Sequence, residues 1–396
     1  MSKTVLLVTL PPTKGGVPTK TRILAEFLRR RGHAVSVAHY ATMSEFGAQS
    51  APSWQMIRGK SASVARGTCF GDFPSYSVGC TFPELEFSYY RPTELWRSVI
   101  SGFDRHIAVG GTVLVSNPLV EMNIPHMTWC ASTMIDDRYD RRQAMPILRR
   151  LIDRAIVGPV QRKMERKILA RSTRFMTVSN YARDTLIAAG GTAGNFATVP
   201  VPVDCNFFSP RDQVPAAKIG FAGRADDPRK NIGLLLQAFR IIAARDPEAE
   251  LRLTGDATPK LQQMIATLGI SDRVVWSGWL DRAGLAEFYR SLDVFVFPSA
   301  KEGLGIAGIE AMACGVPVVS TRAGGTEDFV LEGETGRLVD SDPTAMADAI
   351  SAIYTRREAR DRLGLNARQL IADRYSMERF EKNIADNWQK TWGDTL

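Results

Sequence analysis

Two successive runs of alternating strand and helix patterns, divided by a proline-rich segment, constrain the fold of this 396-residue chain most strongly. The first run opens with an apolar strand over Thr4–Thr9, followed by a loop that holds Gly15 and Gly16. A helix over Thr19–Arg31 and a strand over Ala34–Ala38 come next. Because continuous apolar strands are typical of parallel sheets covered on both faces, this opening predicts a doubly wound α/β domain.

Residues 43–100 interrupt this alternation and are rich in aromatic side chains. The stretch Phe70–Trp96 can pack in the core, or it can stack on a bound sugar or cover an apolar chain; both interpretations stay open. Strands are predicted again at His106–Val109, His126–Cys130 and Arg174–Val178. Ser179 is the predicted N-cap of the next helix.

The alternation restarts after Val199–Pro215, which holds four prolines in seventeen residues and predicts an extended interdomain linker. We therefore expect one domain over residues 1–205 and a second over 206–375. The predicted strands of the second run are Lys218–Ala222, Glu250–Thr254, Val274–Trp276, Val294–Phe297, Val316–Ser320 and Gly336–Val339. The predicted helices are Asn231–Ala244, Pro259–Leu268, Gly284–Ser291, Gly308–Ala313, Thr344–Arg357 and Met377–Thr391.

Composition limits the cellular compartment and the classes of binding partner that we expect. Five scattered cysteines without a C-x-x-C pair argue against a disulfide framework or a zinc knuckle. The sequence shows neither a signal-peptide core nor an apolar run of membrane-spanning length, so we expect a cytoplasmic protein. The net charge is +8, and the stretch Arg141–Arg174 alone carries eleven Lys or Arg against Asp153 and Glu165.

This basic stretch has two interpretations. It can be a solvated helical face, or it can bind an anionic surface such as the inner face of a membrane or a phosphorylated acceptor. We expect no nucleic-acid partner, because the aromatic-interleaved basic motif of a nucleic-acid module is absent from the sequence. The oligomeric state cannot be inferred from these patterns.

The segment Phe297–Pro317 carries the clearest chemical pattern. It combines the end of a strand, a loop with Gly303 and Gly305, and a helix that begins near Ile306. Glycines allow backbone amides to approach a ligand closely, and a helix N-terminus favours an anion such as a diphosphate. The segment therefore predicts an anion site, although glycine loops before helices are also common without any ligand.

Two carboxylates and two cations extend this pattern. Glu302, at the carboxyl end of a strand, can accept hydrogen bonds from sugar hydroxyls, and Glu310, one turn into the helix, can hold a second polyol such as a ribose. A second motif begins at Gly223, where Arg224 and Lys230 can reach the same anion beside a helix N-terminus. For these loops a purely structural role is the alternative.

Six motifs in register resemble the retaining GT-B glycosyltransferases of family 4, also described as glycosyl transferases group 1. The most specific motif is PSAKEGLGIAGIEAMACGVPVV, which places Glu302 and Glu310 seven residues apart. The others, in chain order, are GGVPTKTRILAEFLRRRGHAVSV, VSNYARDTLIAAG, GRADDPRKN, VVWSGWLDRAGLAEFYRSLDVFVFPS and AGGTEDFVLEGETGRLV.

The resemblance implies a GT-B fold, in which two doubly wound, Rossmann-like domains face each other across a cleft and residues 376–396 cross back onto the first. It implies retaining transfer of a hexose-type sugar from a nucleotide diphosphate sugar to a glycan, lipid-linked or small-molecule acceptor, without a cofactor and without a metal. The implied contacts are Gly15, Gly16, Gly223, Arg224 and Lys230 at the diphosphate, Gly278, Trp279 and Leu280 near the base, Glu302 at the sugar, the amides of Gly303, Leu304, Gly305 and Ile306, and Glu310 at the ribose.

The sequence departs from the family pattern in two places, and the milder one is the position of the acidic residue after Gly324-Gly325, which is Asp328 here. Cys130 stands where the family often has a histidine, and the neighbouring His126 falls inside a predicted strand, where a structural role is expected. This departure keeps open a catalytically inactive binding or scaffold subunit. A phosphorylase or epimerase of the same architecture is a further alternative, although such phosphorylases have much longer chains. The letters Asp340-Ser341-Asp342 spell a metal-binding motif, but their place before a helix predicts an N-cap.

Overall fold

The computed structural model describes residues 2–13, 15–138, 145–171, 174–210 and 218–396. Contacts between residues divide the chain into two compact units: a first unit of Met1–Val199 with Glu381–Leu396, and a second unit of Pro200–Phe380. The predicted boundary was 205/206. Residues 211–215 of the predicted linker, and 141–144 and 172–173 of the basic stretch, lie outside the described residues.

In its described part, the first unit contains an eight-stranded sheet with the order β3-β4-β2-β1-β5-β6-β7-β8. All neighbouring strands run parallel except β3 and β4, which form an antiparallel pair at one edge. The strands are β1 Thr4–Thr9, β2 Ala34–Tyr40, β3 Val64–Cys69, β4 Phe73–Val78, β5 Arg105–Val109, β6 His126–Cys130, β7 Arg174–Thr177 and β8 Phe196–Thr198. The helices are Gly16–Arg30, Ser53–Met56, Glu94–Ile100, Asn117–Glu121, residues 134–138, Ile147–Ile152, Gly158–Arg171 and Asn180–Ala188.

The β3–β4 hairpin was not predicted. Residues 66–68 of β3 are exposed in succession, and β4 exposes Pro74 and only partly buries Tyr76, so neither strand shows the continuous apolar run of an internal parallel strand. Their aromatic neighbours settle much of the open question about the stretch Phe70–Trp96. Phe73 and Trp96 are almost completely buried, and Trp96 packs on Tyr40 of β2, whereas Phe82 remains 43% exposed. Core packing therefore accounts for the largest members of this stretch.

The second unit contains a parallel sheet of six described strands with the order β11-β10-β9-β12-β13-β14. This order reverses between β9 and β12, as in the doubly wound nucleotide-binding folds. The strands are β9 Lys218–Phe221, β10 Glu250–Leu253, β11 Val274–Trp276, β12 Val294–Phe297, β13 Val318–Thr321 and β14 Gly336–Val339. The helices are Ile232–Arg245, Pro259–Thr267, Arg282–Arg290, Ile306–Ala313, Pro343–Tyr354 and Arg357–Arg374, followed by Met377–Trp392, which continues into the first unit.

The helix Arg357–Arg374 was also missed, because its sequence is dominated by charged residues. Its signal is the helical spacing of Leu363, Ala367, Leu370 and Ile371, all of which are buried. The last helix, Met377–Trp392, is fixed within the first unit by the ion pair of Glu381 with Arg30 and by other polar contacts.

Two buried ionisable side chains in the first unit form hydrogen bonds with backbone groups that are distant in sequence. Lys20 Nζ donates to the carbonyl oxygen of Gly110, just after β5, at 2.7 Å and to that of Trp129, within β6, at 3.1 Å, and its burial lowers its pKa to about 7. Glu165 accepts a hydrogen bond of 2.8 Å from the amide of Met134, and burial raises the pKa of this carboxyl to about 7. Neither group was predicted, because both contacts join segments far apart in sequence.

The raised pKa of Glu165 predicts a pH-dependent stability. The folded protein holds the proton of the Glu165 carboxyl more tightly than the unfolded chain does. The protonated carboxyl therefore contributes fully to the free energy of unfolding below the pKa of the unfolded chain, and this contribution is lost as pH rises through about 7. The substitution Glu165→Gln removes this pH-dependent fall in the free energy of unfolding, which is on the order of 1–3 kcal/mol. We expect urea denaturation to give equal stabilities for wild type and variant at low pH, and a more stable variant above pH 7. A constant difference across this range would contradict the assignment.

Candidate functional site

The candidate site lies at the carboxyl ends of β9 and β12, where the strand order of the second sheet reverses. These strands are direct neighbours, with Ile219 of β9 paired to Val294 of β12. The loop after β9 begins at Gly223, and the loop after β12 contains Glu302. In doubly wound sheets, ligands bind in the crevice outside the carboxyl ends at this reversal.

Lys230 and Glu302 join the two loops in an ion pair, in which Lys230 Nζ donates to Glu302 Oε1. Their side chains are only 19% and 11% exposed. Ser299 Oγ donates a second hydrogen bond of 2.9 Å to the same carboxylate oxygen. The Glu302 backbone is fixed through Ala323 O at 2.8 Å and the amide of Gly325 at 2.9 Å. The carboxylate is thus held at a defined place at the strand ends.

Arg224 is held by a different carboxylate. Asp227 accepts from the guanidinium of Arg224 at 2.9 Å and from that of Arg229 at 2.7 Å. It also accepts a hydrogen bond of 3.1 Å from the Arg229 amide. Partial burial opposes ionisation of Asp227, but the hydrogen bonds and charge of Arg229 lower its pKa to about 2. Arg224 and Lys230 therefore stand in the same loop, each with its own counter-ion, and more than half of the Arg224 side chain is exposed.

Backbone amides supply a third element of the site. The helix Ile306–Ala313 begins after Gly305, which has φ 94°. Only glycine adopts this conformation readily, and an added Cβ would also lie 3.1 Å from the Phe297 ring. Among the described residues, the amides of Leu304, Gly305 and Ile306 donate no hydrogen bond. Such a helix N-terminus favours an anion.

Glu310 lies one turn further along this helix and is linked to Tyr289, which donates to Glu310 Oε2 at 2.9 Å. Burial raises the pKa of Glu310 to about 7, while the Tyr289 hydrogen bond favours its ionised form. Tyr289 was missed because it comes from the neighbouring helix Arg282–Arg290, and no sequence spacing relates it to Glu310. Ser299 lies three residues before Glu302, and Asp227 lies three residues after Arg224, so these two local partners could have been found from the sequence.

The loops after β9, β10 and β11 meet through their backbones. The amide of Gly255 donates to the carbonyl of Gly278 at 2.8 Å, and a Cβ on Gly255 would lie 2.7 Å from the carbonyl oxygen of Gly223. Trp279, which is 52% exposed, donates through Nε1 to Asp256 at 2.9 Å, and the adjacent Leu280 is half-buried. Gly223, Gly278, Trp279 and Leu280 are therefore brought to the same edge as Lys230 and Glu302.

The remaining predicted residues belong to the first unit. Gly15, with φ 123°, precedes the helix that begins at Gly16, just beyond β1. His126 lies buried in β6, as predicted, and burial lowers its pKa to about 4. Cys130 ends the same strand inside the hydrophobic core, with its thiol 3.8 Å from the carbonyl oxygen of Met176. Burial raises the pKa of this thiol to about 12, so Cys130 is a neutral core residue.

The predicted N-caps are confirmed. Asp342 accepts from the amide of Ala345 at 2.7 Å at the start of Pro343–Tyr354, and Ser179 accepts from Ala182 at 3.0 Å. Within the described ranges, no three His, Cys, Asp or Glu side chains are grouped as metal ligands would be.

Comparison with known proteins gives these observations a context. Residues 216–356 match the family model described as "Glycosyl transferases group 1". The chain is 34% identical over 217 residues to a D-inositol 3-phosphate glycosyltransferase of Geodermatophilus obscurus. The aligned region covers 49% of this chain and 48% of that protein. It is 30% identical over 237 residues to a GDP-mannose-dependent alpha-(1-6)-phosphatidylinositol monomannoside mannosyltransferase of Mycolicibacterium smegmatis, covering 55% of this chain and 62% of that protein.

These matches span about half to three-fifths of the length of the curated relatives. The whole chain is similar in structure to sucrose-phosphate synthase from Thermosynechococcus elongatus, with a TM-score of 0.74, 20% identity and 99% of both chains covered. This likeness concerns the fold. The predicted fold class, GT-B with two doubly wound parallel-sheet domains, is confirmed.

Gly305 provides a test of the site's backbone geometry. Replacing Gly305→Ala strains the left-handed backbone and presses on Phe297, so we expect a loss of about 1–3 kcal/mol in the free energy of unfolding. The matched control is Gly233→Ala, whose Cβ would meet only the flexible Met264 side chain, at 3.6 Å. This control should be neutral or slightly stabilising. Urea denaturation measures both, and equal stabilities would contradict the strained geometry.

Proposed function

We propose that the chain, whose residues 216–356 match the glycosyl transferases group 1 family model, transfers a hexose-type sugar from a nucleotide diphosphate sugar to a carbohydrate or lipid-linked acceptor, with retention of the anomeric configuration. The observation that carries the proposal is the position of the Lys230–Glu302 pair at the reversal of the strand order, beside the amides of Leu304, Gly305 and Ile306.

In the proposed complex, the diphosphate of the donor lies at these amides and near the cations of Arg224 and Lys230. Glu302 accepts hydrogen bonds from hydroxyls of the donor sugar, and Glu310 accepts them from the ribose. Gly278, Trp279 and Leu280 line the place of the base. These roles assign each group to the chemistry that it can supply.

The proposed reaction proceeds on one face of the sugar. The bond between the anomeric carbon and the diphosphate oxygen breaks, and the acceptor oxygen bonds to the same face of that carbon. The proton of the acceptor hydroxyl passes to the departing phosphate oxygen. Negative charge grows on the diphosphate during this step, so cations and fixed amide dipoles stabilise the transition state more than the ground state. The proposal needs no metal, because the two cations and the helix N-terminus meet this charge.

The acceptor class follows from the relatives' names and from the charge of the chain. One relative is named for an inositol phosphate and another for a mannosylated phosphatidylinositol with GDP-mannose as donor. We propose a polyol or glycan acceptor that carries phosphate or a lipid anchor, since the chain has a net charge of +8.

Replacing Lys230→Met tests the role of the cation pair. We expect kcat/KM for the donor to fall by roughly 10²–10³ because one source of charge stabilisation is lost. The control is Lys260→Met, which removes an exposed lysine at the start of the helix Pro259–Thr267. Circular dichroism verifies that both variants fold. An equal fall in kcat/KM in both variants would contradict the role of Lys230. Donor binding by the wild type without turnover on any acceptor would contradict the glycosyltransferase activity.

The stereochemical part of the proposal has its own readout. Nuclear magnetic resonance of the product should show the anomeric configuration of the donor sugar. An inverted linkage would rule out attack on the same face and leave the donor site assignment standing.

The raised pKa of Glu310 predicts a pH dependence of donor binding. A carboxylate accepts hydrogen bonds from ribose hydroxyls more strongly than a carboxylic acid does, so KM for the donor should fall as pH rises through about 7. In Glu310→Gln, which stays neutral, this change should disappear while KM stays high. A wild-type KM that is flat across this range would argue against Glu310 as a ribose ligand.

A further inference from the structure

The helix that follows residue 145 exposes an unusual amount of aliphatic surface. Ile147, Leu148 and Leu151 are 76%, 71% and 59% exposed, and Ile152 and Ile156 are 40% and 50% exposed. These five positions recur at helical intervals, so they form one stripe along Ile147–Ile152 and the π-helical turn Asp153–Val157. Single exposed aliphatic residues are ordinary, but a contiguous stripe marks an interaction surface.

Polar contacts on the opposite side hold this stripe outward. Asp153 is buried and pairs with Arg138, whose side chain is only 6% exposed. Glu165, on the continuing helix Gly158–Arg171, is buried and bonds to the amide of Met134. Because these two anchors face the interior, the stripe cannot turn inward without breaking a buried ion pair.

The exposed charges on this segment itself have one sign. Arg149, Arg150 and Arg154 are exposed beside it, and Lys163, Arg166 and Arg171 are exposed further along the helix. Arg149 also pairs with Glu86 at 2.9 Å. The two acidic residues between 145 and 171 are Asp153 and Glu165, and both are buried. The outer surface of this segment is therefore both aliphatic and cationic.

We propose that this interfacial face, formed by residues 145–171, docks on an anionic lipid bilayer. The aliphatic stripe lies among the acyl chains near the headgroups, and the arginines contact the lipid phosphates. Amphipathic helices with a basic polar side bind membrane surfaces in this way. A nucleic acid would satisfy the cations but leave five aliphatic side chains without a partner. The sequence suggested an anionic surface from charge alone; the exposed stripe selects lipid.

The face is a docking surface and not a membrane span. No helix in the described ranges is long and apolar enough to cross a bilayer. The proposal is also independent of sugar transfer, because it concerns a surface of the first unit, and the residues assigned to the donor site other than Gly15 and Gly16 belong to the second.

Vesicle co-sedimentation of the full chain tests the proposal. The vesicles contain equal parts of phosphatidylcholine and phosphatidylglycerol, or phosphatidylcholine alone. We expect binding to the anionic vesicles, weakened by high salt, and little binding to the neutral ones. The double variant I147S/L151S should reduce partitioning by about tenfold or more, because it removes two buried aliphatic groups from the lipid contact. The double variant R154Q/R166Q should reduce binding to anionic vesicles specifically.

The matched control is Ile57→Ser, which removes an isoleucine of the same unit that is 89% exposed. This variant should bind vesicles like the wild type. Donor hydrolysis by each variant shows whether the second unit remains intact, so failure of docking is distinguishable from failure of the glycosyltransferase assignment.

Three results would overturn the proposal. The first is absence of binding to anionic vesicles by the wild type, or equal binding by I147S/L151S. The second is a wild-type dimer in sedimentation equilibrium that I147S/L151S dissociates, since a second copy of the chain would then cover the stripe. The third is tight binding of a single-stranded oligonucleotide that competes with vesicles and does not depend on Ile147 and Leu151.

Discussion

The ion pair between Lys230 and Glu302 is the interaction around which the second unit's site is organised. It joins two loops that are 72 residues apart in sequence but follow neighbouring strands. Two largely buried charges tolerate this environment because each is paired and Ser299 adds a hydrogen bond. With Glu302 fixed in this way, the following loop reaches the left-handed Gly305 and directs the amides of the helix N-terminus to the same edge. The strand order thus brings Lys230 and Glu302 together, and their ion pair fixes the loops after β9 and β12.

The features described above fall into two groups, those inside the segment that matches the family model and those outside it. The matched family segment, residues 216–356, contains the strand-order reversal, the cation pair and both carboxylates. In the proposed function, these features bind the donor. Outside that segment, the first unit carries an antiparallel edge hairpin, a cysteine in the core at the end of β6, and the interfacial face of residues 145–171.

Local patterns in the sequence were sufficient for the alternating elements and for the two N-caps, because an apolar run or a capping side chain acts on its own neighbours. They also identified Lys230 and Glu302, since each follows a strand and parallel strands end at one edge. They failed where the determinant is remote. Tyr289 reaches Glu310 across two helices, Lys20 reaches carbonyls of β5 and β6, and the half-exposed hairpin has no continuous apolar run. The charged helix Arg357–Arg374 did carry a helical spacing and could have been found.

Lys20 has a consequence for how the first unit is assembled. Its amino group is buried, and its two acceptors lie 90 and 109 residues further along the chain. A buried amine without acceptors is costly, so the helix Gly16–Arg30 gains its full stabilisation only after β5 and β6 have paired. Formation of the helix is local and fast, whereas bringing Gly110 and Trp129 to Lys20 requires closure of loops of 90 and 109 residues. The lysine therefore makes docking of the first helix conditional on the central sheet, and it couples the earliest segment of the chain to a late step of folding.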